Sequence, residues 1–203
     1  MIGVFLAMST LSLFAVVGTI WAIIQPPIQT NEPILSSPRE GTEAWQLDRK
    51  NAHPRAVELL KDDFFWTCLD DDSPFGNDDG ADALRLYQQW QSTHRNQKPI
   101  QFLNDLLLQM EAPLAHWKTL SPNTLNSFVN AAGDGFVLRT GDQVIIAVGF
   151  GQLILDGKID PELRLLTLKA IDNEADPLML HRWSVAEERA SRLTKMKTIV
   201  VAI

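Results

Sequence analysis

The chain has 203 residues, 45% of them apolar, and a formal net charge of -7 at pH 7. That length suits one well-buried domain with an appendage and is short for two full domains. The acidic balance excludes nucleic acid and an anionic lipid surface as default partners, because phosphate binding relies on clustered Lys and Arg.

The first predicted element is apolar throughout. Ile2 to Ile24 contains no charged residue over 23 positions. At ~1.5 Å rise per residue that is enough to cross a hydrocarbon core of ~30 Å. Gln25-Pro26-Pro27 ends it. A cleaved signal peptide would want Lys or Arg before the apolar stretch, which is missing, and Thr19 to Ala22 is a mediocre cleavage site. The reading is a single-pass anchor over residues 1–24 that contacts the bilayer through Ile2 to Ile24, in a bacterial inner membrane. A secreted domain after cleavage would change the location and not the fold. Residues 25–44 carry four prolines and few large apolar side chains, the composition of an extended tether. The folded domain is expected over residues 45–203, from Trp45 onward.

Within that domain a polar or basic residue followed by proline recurs, at His53-Pro54, Lys98-Pro99, Ser121-Pro122, Asp160-Pro161 and Asp176-Pro177. Proline at the first helical position is already at helical φ, and a polar side chain before it can cap the exposed N–H groups. Each pair predicts a helix start. After Asp176-Pro177, the apolar positions Trp183, Ala186, Ala190, Leu193 and Val200 keep helical spacing through the last segment.

Residues 135–158 admit two readings. Phe136 to Arg139 and Gln143 to Val148 have the β-propensity of a hairpin around Thr140-Gly141. The apolar run from Val144 to Leu155 is longer than a usual strand, which favours a buried helix capped by Thr140 or Asp142 and ended by Gly157. Gly149 and Gly151 each weaken such a helix by ~1 kcal/mol unless a neighbour packs closely against them.

The stretch most like a site is acidic. Asp70, Asp71 and Asp72 run directly into Ser73-Pro74-Phe75-Gly76-Asn77-Asp78-Asp79-Gly80-Ala81-Asp82. Asn77 to Asp79 supply caps for a helix whose apolar face is Ala83, Leu86, Tyr87 and Trp90, with Asp79 and Asp82 spaced as a capping-box variant. Carboxylates in a first turn also gain ~0.3–1 kcal/mol each from the helix dipole. That accounts for Asp78, Asp79 and Asp82, and leaves Asp70, Asp71 and Asp72 unexplained. A divalent cation held by Asp70, Asp72, Asn77, Asp78 and Asp82 would explain them, although no register fits an EF-hand loop. No other cofactor is implied.

Cys68, the one cysteine, sits among Phe64, Phe65, Trp66 and Leu69 and reads as a buried, inert thiol. The four histidines have no zinc spacing, and no nucleophile elbow, phosphate-binding loop or dinucleotide fingerprint is present. Trp66, Trp90 and Trp183 read as core, whereas Trp45 and Trp117, in polar settings, are candidates for exposure. Between Glu58 and Asp82 stand nine acids and one base, while the last segment holds Arg182, Arg189, Arg192, Lys195 and Lys197. The two regions either face each other or leave an acidic face for a basic partner protein.

The stretch from Asn51 to Leu84, an aromatic run followed by an acidic Ser-Pro-Phe-Gly-Asn-Asp segment, resembles YfeS-like bacterial proteins. Phe75, Asn77, Asp78, Ala81 and Asp82 are also similar to G-x-F-x-N-D-x-A-x-D, the signature of a small helical bacterial domain family of unknown function, with Gly80 as an extra residue. The resemblance implies an all-α domain and marks Phe75, Asn77, Asp78 and Asp82 as signature residues of unknown role. It implies no activity.

The expected protein is therefore all-α: a membrane anchor, a tether and one compact domain of about six or seven helices. Its expected task is to bind a protein partner near the membrane through an acidic face. The other reading is a divalent-metal-dependent hydrolase built on the loop from Asp70 to Asp82.

Overall fold

The computed structural model describes residues 47–121, Leu125 and residues 134–203. The expected anchor, the tether and Trp45 lie outside these residues. So does most of the helix expected after Ser121-Pro122, although Leu125 donates to the Ser121 carbonyl at 2.9 Å. Among the described residues there are eight α-helices and no strand. In chain order they are α1 (Pro54–Leu59), α2 (Asp78–Thr93), α3 (Pro99–Gln109), α4 (Ala115–Thr119), α5 (Asp134–Asp156), α6 (Pro161–Glu174), α7 (Pro177–Leu180) and α8 (Ala186–Ala202). Short 3₁₀ turns cover Arg49–Asn51 and Asp63–Trp66. None of the described helices is long and apolar enough to cross a membrane.

The ambiguous segment is α5, and the hairpin reading is absent. Every residue from 140 to 154 is buried, the pattern of a helix enclosed on all sides. α2 and α6 pack most extensively against it, α1 and α3 touch it as well, and α8 lies on α6. The helix starts before Thr140 and Asp142, so neither caps it; both are buried inside it.

The glycines of α5 are where its neighbours come close. A Cβ on Gly149 would lie 2.3 Å from Thr167 Oγ1 of α6, and one on Gly141 would lie 2.2 Å from the Trp117 ring of α4. Close helix approach therefore offsets the intrinsic cost of glycine in a helix. Gly157 ends α5 at φ +69°, and its N–H donates to the Leu153 carbonyl at 2.9 Å, as a C′ glycine should.

The proline-led starts at 54, 99, 161 and 177 all open helices. His53 Nδ1 accepts from the Arg55 N–H at 3.1 Å and Asp176 Oδ1 from the Leu178 N–H at 2.9 Å. Asp160 makes no such cap; its carboxylate accepts from Gln152 Nε2 at 3.1 Å instead. α7 lasts one turn and α8 begins afresh at Ala186, so Trp183 stands in the turn between them rather than on the last helix.

Two sequence expectations about burial are inverted. Trp117 is 1% exposed, whereas Trp66, Trp90 and Trp183 are only half-buried. Its chain neighbours His116 and Lys118 are polar, but the indole turns to the opposite face of α4 and into the core. Cys68 is exposed, not buried. The adjacent 3₁₀ turn sends Phe64 and Phe65 inward, and the chain beyond it leaves the core. Partial desolvation still raises the thiol pKa above its ordinary value, which keeps it protonated and a poor nucleophile.

Candidate functional site

The acidic stretch forms a loop from Thr67 to Asn77 that is fastened from within. Ser73, buried, donates through Oγ to the Thr67 carbonyl at 2.7 Å and accepts from the Phe75 N–H at 3.0 Å. The Asp70 carboxylate accepts from the Asp72 N–H at 3.0 Å, and the Ser73 N–H donates to the Asp70 carbonyl at 2.8 Å. Phe75 is fully buried and anchors the loop. Gly76 crosses the Asp70 backbone so closely that a Cβ there would lie 1.5 Å from the Asp70 carbonyl oxygen. Asn77 caps α2, accepting from the Gly80 N–H at 2.8 Å. Gly80, the extra residue of the signature, has no room for a Cβ, which would lie 2.8 Å from the Pro74 carbonyl oxygen.

Each segment residue thus has a geometric task. Phe75 plugs the core and Asn77 caps. Asp78 is exposed in the first turn, where the helix dipole favours it. Asp79 leaves the capping-box role and accepts from Thr140 Oγ1 of α5 at 3.1 Å. Asp82 pairs with Arg85 at 3.2 Å on the surface.

Asp70 and Asp72 are engaged by α8. Arg192 stands 3.7 Å from the Asp70 carboxylate. Arg189 donates to the Asp72 carbonyl at 3.2 Å, with its other contact to the Asp72 carboxylate at 3.9 Å. Burial raises the Asp72 pKa, opposed by Arg189. Lys195 of α8 pairs with Asp62. The acidic and basic regions therefore face each other, and of the three consecutive aspartates Asp71 is the exposed one. The five residues of the expected cation set are spread over these separate tasks. Among the described residues no group of three or more His, Cys, Asp or Glu is placed to hold a metal ion.

Beneath the loop lies a buried charge cluster. Arg189 is 2% exposed, covers the Trp183 ring at 4.2 Å and donates to Glu174 Oε2 at 3.1 Å; Glu174 is fully buried. Asp142, also fully buried, accepts from Trp117 Nε1 at 2.7 Å and Asn173 Nδ2 at 3.1 Å. Burial, and then the nearby Glu174, hold the Asp142 pKa well above the carboxylate range. Burial also raises Glu174, but the Arg189 guanidinium opposes it. Two carboxylates in one low-dielectric site do not both ionise readily, and of the two Glu174 is the one paired with a cation, Arg189.

Sequence reasoning singled out Phe75, Asn77, Asp78 and Asp82; it did not single out Glu174, and it named Arg189 and Asp142 without placing them in a buried cluster. The available signal was an acid beside a long apolar run, at Asp142, and another inside the apolar face of α6, at Glu174. The loop also presents Leu69, 95% exposed.

No family model matches the chain. It is 24% identical over 144 residues to the uncharacterized protein YfeS of Escherichia coli (strain K12), covering 70% of this chain and 58% of that protein. The resemblance to YfeS-like proteins is borne out at that level. No solved structure matches.

Proposed function

We propose that this protein is a membrane-anchored binding module and that the loop from Thr67 to Asp72 is its contact surface for a partner protein. The observation that carries the reading is Leu69, 95% exposed on a loop otherwise fastened by backbone bonds and by Arg189 and Arg192. An aliphatic side chain standing in water on a pre-ordered loop costs little further ordering when it enters a pocket. Asp71, exposed beside it, supplies a charged rim, so the partner surface is an apolar pocket edged by basic residues. The apolar segment Ile2 to Ile24 would hold the module at a bilayer and raise its local concentration there. The charges of Asp70 and Asp72, expected to steer the partner, are spent on α8; the recognition rests on Leu69 and Asp71.

The test is a photo-crosslinking residue in place of Leu69 in the full chain, with Leu165, 69% exposed on α6, as control position. The reading expects one protein adduct from position 69 and none from 165, and loss of that complex in Leu69→Asp with an unchanged melting temperature. Equal adducts from both positions, or a complex that survives Leu69→Asp, would contradict it.

A further inference from the structure

The segment from Leu59 to Phe65 and the C-terminal half of α8 leave a groove of about 350 Å³ between them. Leu59, Phe65 and Ile199 line it with apolar surface, and Lys61, Asp62 and Lys195 supply its charged groups. Lys195 pairs with Asp62. Lys61 is exposed and its ammonium pairs with no described carboxylate, so the groove carries a net positive charge. This is an apolar pocket with a basic edge, the surface that Leu69 and Asp71 call for.

Loop and groove lie on one side of the molecule. Arg192, which holds Asp70, Lys195, which holds Asp62, and Ile199, which lines the groove, follow one another at helical spacing along one face of α8. Leu69 does not enter the groove of its own chain: it is 95% exposed and is not among the lining residues. Asp71, exposed beside it, pairs with no described base. A projection and a hole of matching chemistry on the same face make a self-complementary surface. A two-fold axis through that face sets each Leu69 against the groove of the other copy and each Asp71 near the other Lys61. We infer, on the reading of Leu69 as a contact, that the partner it meets is a second copy of this chain, in a two-fold dimer closed by reciprocal insertion of Leu69 between α8 and the segment from Leu59 to Phe65. Two such insertions make a small interface, so the dimer is weak and assembles at about 10–100 µM. Melting curves taken near ~1 µM therefore report the monomer.

Sedimentation of the full chain in density-matched detergent, from about 1 to 200 µM, reads the assembly directly. The parent should pass from monomer to dimer over that range. Asp71→Lys and Lys61→Glu should each weaken the dimer about tenfold or more, because each sets like charges together at both contacts. An equimolar mixture of the two restores opposite charges at both contacts of a mixed pair and should dimerise again. Both positions are exposed, and melting curves of the single variants check that they remain folded. A photo-crosslinking residue at position 69 of one copy, mixed with an isotope-labelled copy, should attach to labelled peptide from residues 59–65 or 194–199. A parent that stays monomeric, a dimer that survives both single variants, as one made through Ile2 to Ile24 would, or a mixture no better than its components would overturn the inference. An adduct from position 69 to a different protein would overturn it and leave Leu69 a contact residue; no adduct at all from that position would remove the contact reading as well.

Discussion

Arg189 donates to the Asp72 carbonyl at 3.2 Å, joining two residues 117 positions apart and setting the acidic loop on the last helix. The same guanidinium holds buried Glu174 at 3.1 Å, so one side chain ties the loop, α6 and α8 together.

Removing that side chain while leaving Glu174 in place strands a buried charge. Arg189→Met should cost about 3–5 kcal/mol of folding free energy, the usual scale for breaking a buried pair from one side. Adding Glu174→Leu should return most of the loss, because the uncompensated carboxylate leaves with it. Urea denaturation of the two variants and the parent checks both statements.

Asp142 makes stability depend on pH in a direction fixed by its shift. Its folded pKa lies well above the ordinary 3.8, so the folded state binds the proton more tightly than the unfolded chain. That advantage is complete below pH 3.8 and is lost as pH rises from there through the raised folded value. Asp142→Asn cannot lose it. Denaturation curves from pH 4 to 8 should show the parent falling relative to Asp142→Asn as pH increases, with the variant equal or more stable at neutral pH. Glu174, also raised, leaves a smaller slope of the same sign in the variant.

Gly149 is set by its neighbour rather than by helix propensity. In an open helix Gly→Ala would stabilise by about 1 kcal/mol. Here the new Cβ would lie 2.3 Å from Thr167 Oγ1, and Gly149→Ala should destabilise by about 1–3 kcal/mol. Thr167→Ala in the same chain should relieve part of that, a coupling that a double-mutant cycle on thermal unfolding measures.

Cys68 should react with a maleimide in the native state, without unfolding, since it is exposed. Its raised pKa predicts a slow rate at neutral pH that keeps climbing with pH beyond the range where an ordinary thiol levels off. Labelling that needs denaturant would contradict the exposure.

Local signals were the readable ones. Proline-led starts at 54, 99, 161 and 177 depend on the φ of one residue and the side chain before it, so sequence alone places them. The length of the apolar run was enough to choose helix over hairpin for α5. Asn77 as the α2 cap was readable for the same reason. Tertiary choices were hidden. Nothing near Asp72 in sequence announces Arg189, and nothing near Asp142 announces Trp117 and Asn173. The burial of Trp117 is not legible locally, because its neighbours along the chain point to other faces of the helix and say little about the face that is buried. Asp160 does not cap α6 because Gln152, one turn and a loop earlier, competes for its carboxylate.

The central claim is that the loop from Thr67 to Asn77 is architecture that presents Leu69, and that Asp70, Asp72, Asn77, Asp78 and Asp82 do not form a cation site. The most direct measurement is a thermal-melt series on the full chain with millimolar magnesium, calcium, manganese or zinc. A ligand at about a hundred times its dissociation constant adds ~2.7 kcal/mol to folding stability. The account predicts no ion-selective rise in melting temperature, because Asp70 and Asp72 are engaged by Arg192 and Arg189. A selective rise with one ion that disappears in Asp78→Asn would contradict it and move the function to metal-dependent chemistry.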